Sequence, residues 1–177
     1  MTFKDLLGRW AAYTSAANDE MLKVLSTLPG ARILEPSGTY YKNIAGLLDH
    51  GYRSTVFWIK RASDGGAMPE WLPGRLAEFS LPPPEKILAS DLAAFSAMRK
   101  RLDAFIVEVC GRGDEASYAS AFTFVGRDKT ERRMEFGAAL LTAMNHEVHH
   151  RGGVATILDG WGVANDWSSF MPFMLAR

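Results

Sequence analysis

Four stretches of this chain repeat apolar residues at helical spacing, and such stripes are stable only when buried against one another. The first covers roughly 3–27, with Leu6, Leu7, Trp10, Tyr13, Met21, Leu22 and Leu25 on one face and Pro29-Gly30 as its stop. A second runs to about 62, with Ser37 or Thr39 as its cap, and carries Tyr40, Ile44, Leu47, Leu48, Tyr52, Thr55 and Ile59 before Asp64-Gly65-Gly66. A third covers about 84–110 with Ile87, Leu88, Leu92, Phe95, Met98, Leu102, Phe105, Ile106 and Val109. The fourth runs from about 131 to 159 and ends at Asp159-Gly160. Between the second and third, residues 63–84 hold five prolines and three glycines, too many breakers for a long helix. Trp71, Leu72, Leu76, Phe79 and Leu81 within it need somewhere to pack, which predicts an ordered crossover. A short extended pair is expected within 117–130, around Tyr118, Phe122, Phe124 and Val125, and a terminal helix around 167–175. The expectation is a single all-α domain over 1–177, a four-helix bundle with a long crossover between helices 2 and 3.

Charge narrows the function. Twenty basic and twenty acidic residues cancel, which predicts no nucleic-acid partner and no attraction to an acidic membrane. Little charge repulsion opposes self-association, which favours an oligomer. Cys110 is the one cysteine, so there is no disulfide framework and a reducing, cytoplasmic compartment is expected. The opening residues lack the apolar run of a signal peptide, and no apolar run approaches membrane-spanning length.

Chemistry is concentrated in the histidines. Three of the four lie in Asn145-His-Glu-Val-His-His-Arg-Gly-Gly153, and the fourth is His50. Residues at i and i+4 of an α-helix differ by only about 40° in direction. His146 and His150 therefore project side by side, as two imidazoles must to share a metal. Ala139, Ala143, Gly153 and Ile157 fall on the same face, which leaves room for a ligand, whereas His149 points with Thr142, Asn145 and Thr156 along a polar edge. Two ligands leave a metal under-coordinated, and His50 is the only other histidine beside His149. Three neutral imidazoles with an open position characterise catalytic rather than structural sites. The implied cofactor is one divalent metal ion, with Zn, Ni or Fe all compatible with imidazole.

Two family patterns overlap here. His146-Glu-Val-His-His150 satisfies His-Glu-x-x-His, in which the glutamate of a zincin metalloprotease is a general base. The third zincin ligand is missing: position 156 is Thr156, no Glu follows Glu147, and only Asp159 and Asp166 lie downstream. The broader resemblance is to the DinB/YfiT-like family. Asn145-His-Glu-Val-His-His-Arg-Gly152 is similar to that family's Asn-His-x-x-x-His-Arg-Gly-Gln, with Gly153 in place of the usual Gln. Gly38-Thr-Tyr-Tyr-Lys-Asn-Ile-Ala-Gly-Leu-Leu-Asp-His50 resembles its second-helix segment, Ala16-Ala-Asn-Asp-Glu-Met-Leu22 its first, and Leu158-Asp-Gly-Trp-Gly-Val-Ala-Asn-Asp166 its tail.

That resemblance implies a four-helix bundle, often a homodimer, with His50, His146 and His150 as metal ligands. It further implies a transferase or isomerase acting on a small molecule with a low-molecular-weight thiol, the substrate itself unidentified. The alternatives are the metalloprotease and a non-catalytic bundle that a metal merely stabilises. Among other residues, Glu147 and Arg151 read as an i,i+4 pair. Trp10, Phe57 and Trp58 read as core, and Cys110 as inert.

Overall fold

The computed structural model describes residues 1–175. The single domain expected over 1–177 includes 176–177, which lie outside the described residues. Among those described, the chain is mostly helical with one small sheet. Four long helices are α1 (Phe3–Ser26), α2 (Ile44–Asp64), α4 (Leu92–Arg112) and α6 (Phe136–Gly160). Short helices are α3 (Leu72–Leu76), α5 (Glu115–Ala119) and α7 (Met171–Met174), and β1 (Ala121–Val125) pairs with β2 (Glu131–Glu135).

Three of the four long helices, α1, α2 and α4, start where a side chain satisfies free N–H groups. Thr2 and Asp5 form a reciprocal capping box on α1. Asp91 accepts from Ala94 N at 3.0 Å on α4. Asn43 accepts from Gly46 N at 2.9 Å on α2, so that helix begins at Ile44 and not at the predicted Ser37 or Thr39. Tyr40 consequently leaves the predicted stripe and is 91% exposed. Helix α6 ends on a Schellman turn: Val163 N–H donates to Leu158 O, Gly162 N–H to Asp159 O, and Gly162 takes a φ of +69°.

Two other boundaries differ from expectation. The third long helix starts at Leu92, after a 3-10 turn at Leu88–Ser90, because Leu88 N–H donates to Asp49 Oδ1 at 2.8 Å and holds the chain out of helix. The fourth starts at Phe136, since 131–135 pairs as a strand with 121–125, Thr123 opposite Arg133. Phe136 N–H still donates to Ser120 O at 2.8 Å, so the hairpin runs directly into α6. The terminal helix is shorter than predicted, one turn at Met171–Met174.

Helix α2 packs on α6, while α1 packs on both α4 and α6. Leu7, Leu25, Ile44, Val56, Leu102, Phe105, Leu140 and Leu158 fill the space between them. The segment between α2 and α4 is pinned from α2 itself: Arg53 donates to Pro82 O and to Lys86 O, each at 2.7 Å, and is held by Asp49 at 2.8 Å. Trp10 packs against Phe170 and Trp58 against Phe124, both partly buried against the core, while Phe57 beside Trp58 is 46% exposed. No helix of the described residues is long and apolar enough to cross a membrane.

Cys110 is buried, and burial pushes its thiol up to about 12. Since the thiolate is the nucleophile, iodoacetamide at pH 7.5 should leave native protein unlabelled and label it once guanidinium unfolds it. Stoichiometric labelling of native protein by mass spectrometry would contradict this burial.

Candidate metal centre

His50 sits one turn and a half into α2, and His146 and His150 occupy successive turns of α6, the helix packed against it. One ring nitrogen from each of the three lies within 4.8 Å of the others. The Nε2 atoms of His146 and His150 are 3.2 Å apart. Two nitrogens on a tetrahedral ion with bonds of about 2.0–2.1 Å lie about 3.3–3.4 Å apart, so this pair already has ligating separation. The three rings close a triangle, with centroids 4.4–5.1 Å apart.

The electrostatics favour the neutral imidazole that ligation needs. Burial lowers the pKa of His50, with the charge of His146 adding to it, and burial lowers that of His146. Burial and then the charges of His146 and His50 bring His150 down to about 4. Buried Nδ1 atoms of His146 and His150 have no protein partner. Three close, neutral rings with free nitrogens, that of His150 buried and the other two half-buried, are a donor set that fits a divalent cation, and the described residues provide no acid among them.

His149 is exposed on the polar edge, as the helical wheel predicts, and so is Asn145. Ala139, Ala143 and Ile157 are buried on the ligand face, and Gly153 faces Leu47 of α2, where an added Cβ would sit 3.5 Å from its methyl. The position of the family's usual glutamine is therefore a contact between α6 and α2.

Tyr41 is a site residue that sequence reasoning missed. Its ring stacks on His50 at 4.3 Å with 25° between planes, and meets His150 edge-on at 5.2 Å. It is held there by the loop before α2, in which Lys42 adopts a φ of +73° and Ser37 N–H donates to Lys42 O at 2.8 Å. On the other side the hairpin runs back along α2. Phe122 lies at Gly65, Phe124 on Trp58, and Val125 O accepts from Arg61 Nη2 at 3.0 Å. The turn beyond carries Arg127, whose charge acts on both His50 and Tyr41.

Below the histidines lies a second unpredicted feature, a buried polar network drawn from all four long helices. Glu147 Oε1 accepts from Thr55 Oγ1 of α2 at 2.7 Å and from Arg99 Nη1 of α4 at 2.8 Å. Arg99 also binds Asp103, which accepts from Asn18 Nδ2 of α1 at 3.0 Å, and Asn18 Oδ1 accepts from Arg151 Nη1 of α6 at 2.9 Å. Two guanidinium groups and two carboxylates balance, as buried charge requires. Burial pushes Glu147 up, but Arg99, the Thr55 hydroxyl and Arg151 together hold its carboxyl below the usual range. Burial dominates at Asp103, pushing it up to about 6.

This corrects the reading of Glu147 and Arg151 as an i,i+4 pair: Glu147 bonds Arg99 instead, and Arg151 is buried over the ring of Tyr13 at 5.3 Å. It also weighs against the protease pattern. The glutamate of His-Glu-x-x-His has its carboxylate engaged in the core, and Asp159 and Asp166 bond to Asn165 and Ser168, away from the histidines.

Compared with known protein families, residues 2–174 match the model of the DinB family. No curated protein matches the chain.

Proposed function

Because the chain belongs to the DinB family over nearly its whole length, we propose that it is a divalent-metal-dependent transferase or isomerase of small molecules, with a low-molecular-weight thiol as co-substrate. The observation that carries this reading is the convergence of His50, His146 and His150 from two packed helices to within 4.8 Å. His50, His146 and His150 would hold one ion of Zn, Ni or Fe on the neutral nitrogens described above. When bound, such an ion supplies a Lewis acid that lowers the pKa of a thiol or water by several units.

The remaining work falls to this chain's own residues. Tyr41 fixes the plane of His50 by stacking on it and walls one side of the site. Arg127, in the turn of the hairpin, supplies positive charge near His50 and suits a substrate with an anionic group. The engaged Glu147 favours this reading over the metalloprotease, because Thr55 and Arg99 hold its Oε1 inside a buried network instead of leaving the carboxylate at an open position among the three histidines. We further read the four long helices as a four-helix bundle with a crossover after the second, acting in the cytoplasm as a homodimer, without nucleic acid or membrane partners. The balanced charge and single cysteine support that reading.

Elemental analysis of untagged protein tests the reading directly. Parent and His149→Ala protein should carry about one metal per chain, and His50→Ala protein almost none. Metal retained after loss of His50 would favour the protease-like ligand set, and metal that stabilises the fold without any thiol-transfer activity would favour the non-catalytic bundle.

A further inference from the structure

Beside His150 is a small, partly enclosed cavity of about 10 Å³, lined by Arg99, Glu147, His150 and Arg151 together with four apolar side chains. That is room for about one water molecule. Three buried polar atoms of these lining residues have no partner: Arg99 Nε, Arg151 Nη2 and His150 Nδ1. All four side chains are at least nine-tenths buried. Glu147 brings the complementary acceptor. Its Oε1 already takes Thr55 and Arg99, while its Oε2 lies against α2, 3.2 Å from where a Cβ at Gly51 would stand.

Buried donors with no partner are destabilising, and a water needs two to four polar partners to be held in a protein interior. Here the residues around one water-sized space carry three unpaired N–H groups or ring nitrogens and one carboxylate. An anion would face Glu147, and nothing larger than water fits. We propose that this cavity holds one structural water that accepts from the guanidinium of Arg99 or Arg151 and from His150 Nδ1–H and donates to Glu147, which makes Glu147 a positioning residue for His150. A ligating imidazole gains orientation and a defined tautomer when its other nitrogen donates to a carboxylate, directly or through water. Glu147 thereby ties His150 of α6 to Thr55 of α2 and Arg99 of α4. The metal-binding consequence rests on the function proposed above; the water and the tautomer do not.

The test is a crystal structure of the metal-free protein at about 1.2 Å, with ¹⁵N NMR of its histidines. The expected result is one ordered water within hydrogen-bond distance of Glu147, His150 Nδ1 and at least one of the two arginines, and His150 in the Nδ1–H tautomer. Glu147→Gln keeps the side-chain size but exchanges an acceptor for a donor. It should shift His150 away from that tautomer and, where the parent binds Zn²⁺, raise its dissociation constant about 10- to 100-fold. Thr55→Val, which removes the hydroxyl from Oε1 alone, should leave the tautomer unchanged. No density in the cavity of the parent would overturn the proposal whatever the variants do, and so would a folded Glu147→Gln protein with an unaltered His150 tautomer. Parent protein that binds no Zn²⁺ would sink the proposed function while the water and tautomer are still decided.

Discussion

Replacing Arg99 by methionine is expected to lower stability by about 3–5 kcal/mol at pH 7, a drop in melting temperature on the order of 10 °C for a chain of this size. Methionine fills similar space, so the loss is electrostatic. Arg99 is the shared partner of Asp103 and Glu147, both of them buried. Removing it leaves two carboxylates in the interior with only Asn18, Thr55 and the more distant Arg151 to oppose them. Breaking a buried pair on one side is far costlier than replacing the whole of it, because the surviving charge has no water to turn to.

The deficit should also depend on pH. Burial already raises the folded pKa of Asp103 to about 6, above its ordinary value near 3.9. A carboxyl raised by folding favours the native state most when protonated, and that advantage is lost as pH climbs through the folded pKa. Without Arg99 the folded pKa rises further, so the gap between parent and variant should widen from pH 4.5 to pH 7. Urea melts at the two pH values measure it. A gap under about 1 kcal/mol, or one equal at both, would mean that the network is wetter than its burial implies.

Arg99 also illustrates what could have been seen in the sequence. It stands four residues after Phe95, three before Leu102 and seven before Ile106, inside the apolar stripe of α4, with Asp103 at i+4 on the same face. A charged pair within an apolar stripe signals burial with partners. The partners themselves were not legible, since Asn18, Thr55 and Glu147 are brought to it by packing between helices and share no local spacing with it. The His146 and His150 pair was legible because i,i+4 spacing on one helix is a local property. His50 required a resemblance or an elimination, its approach being fixed only by the packing of α2 on α6.

The helix bodies were read from their stripes, but several of their starts were not, and the reasons differ. Glu131-Arg-Arg-Met-Glu135 consists of good helix formers, yet pairing with the apolar strand Ala121–Val125 overrides that preference. At α2, Tyr40 fell into the apolar period by coincidence, whereas Asn43 satisfies a free N–H and ends the ambiguity. Reading the helix four to six residues too long also hid Tyr41. Placed on a helix it would be one more aromatic of a stripe; in a loop ahead of the cap it lies on His50.

That loop makes Gly46 the most sensitive glycine of the site. Glycine in the first turn of a helix is ordinarily a weakness, and an alanine there would be expected to stabilise by up to about 1 kcal/mol. At position 46 the sign should reverse. An added Cβ would stand 2.1 Å from the carbonyl oxygen of Tyr41 and 3.2 Å from its carbon, both backbone atoms that no side-chain rotation can move. The carbonyl cannot yield freely, because it accepts from Asn43 N–H at 2.9 Å while Asn43 Nδ2 donates to Leu34 O at 3.1 Å. Relieving the overlap therefore shifts the segment that presses Tyr41 onto His50. Gly46→Ala is expected to cost about 2–3 kcal/mol, in the range of overpacking a filled site, and to weaken Zn²⁺ binding about tenfold by freeing the His50 ring. Gly152→Ala is the matched control: the same substitution in α6, with nothing within 4 Å of the new methyl, should leave stability equal or slightly higher. Urea melts of the two variants, with Zn²⁺ affinity measured against a chromogenic chelator, separate the cases. Should Gly46→Ala prove as stable as Gly152→Ala, the Tyr41 carbonyl yields to the added methyl without cost. Tyr41 would then no longer hold His50 through that loop.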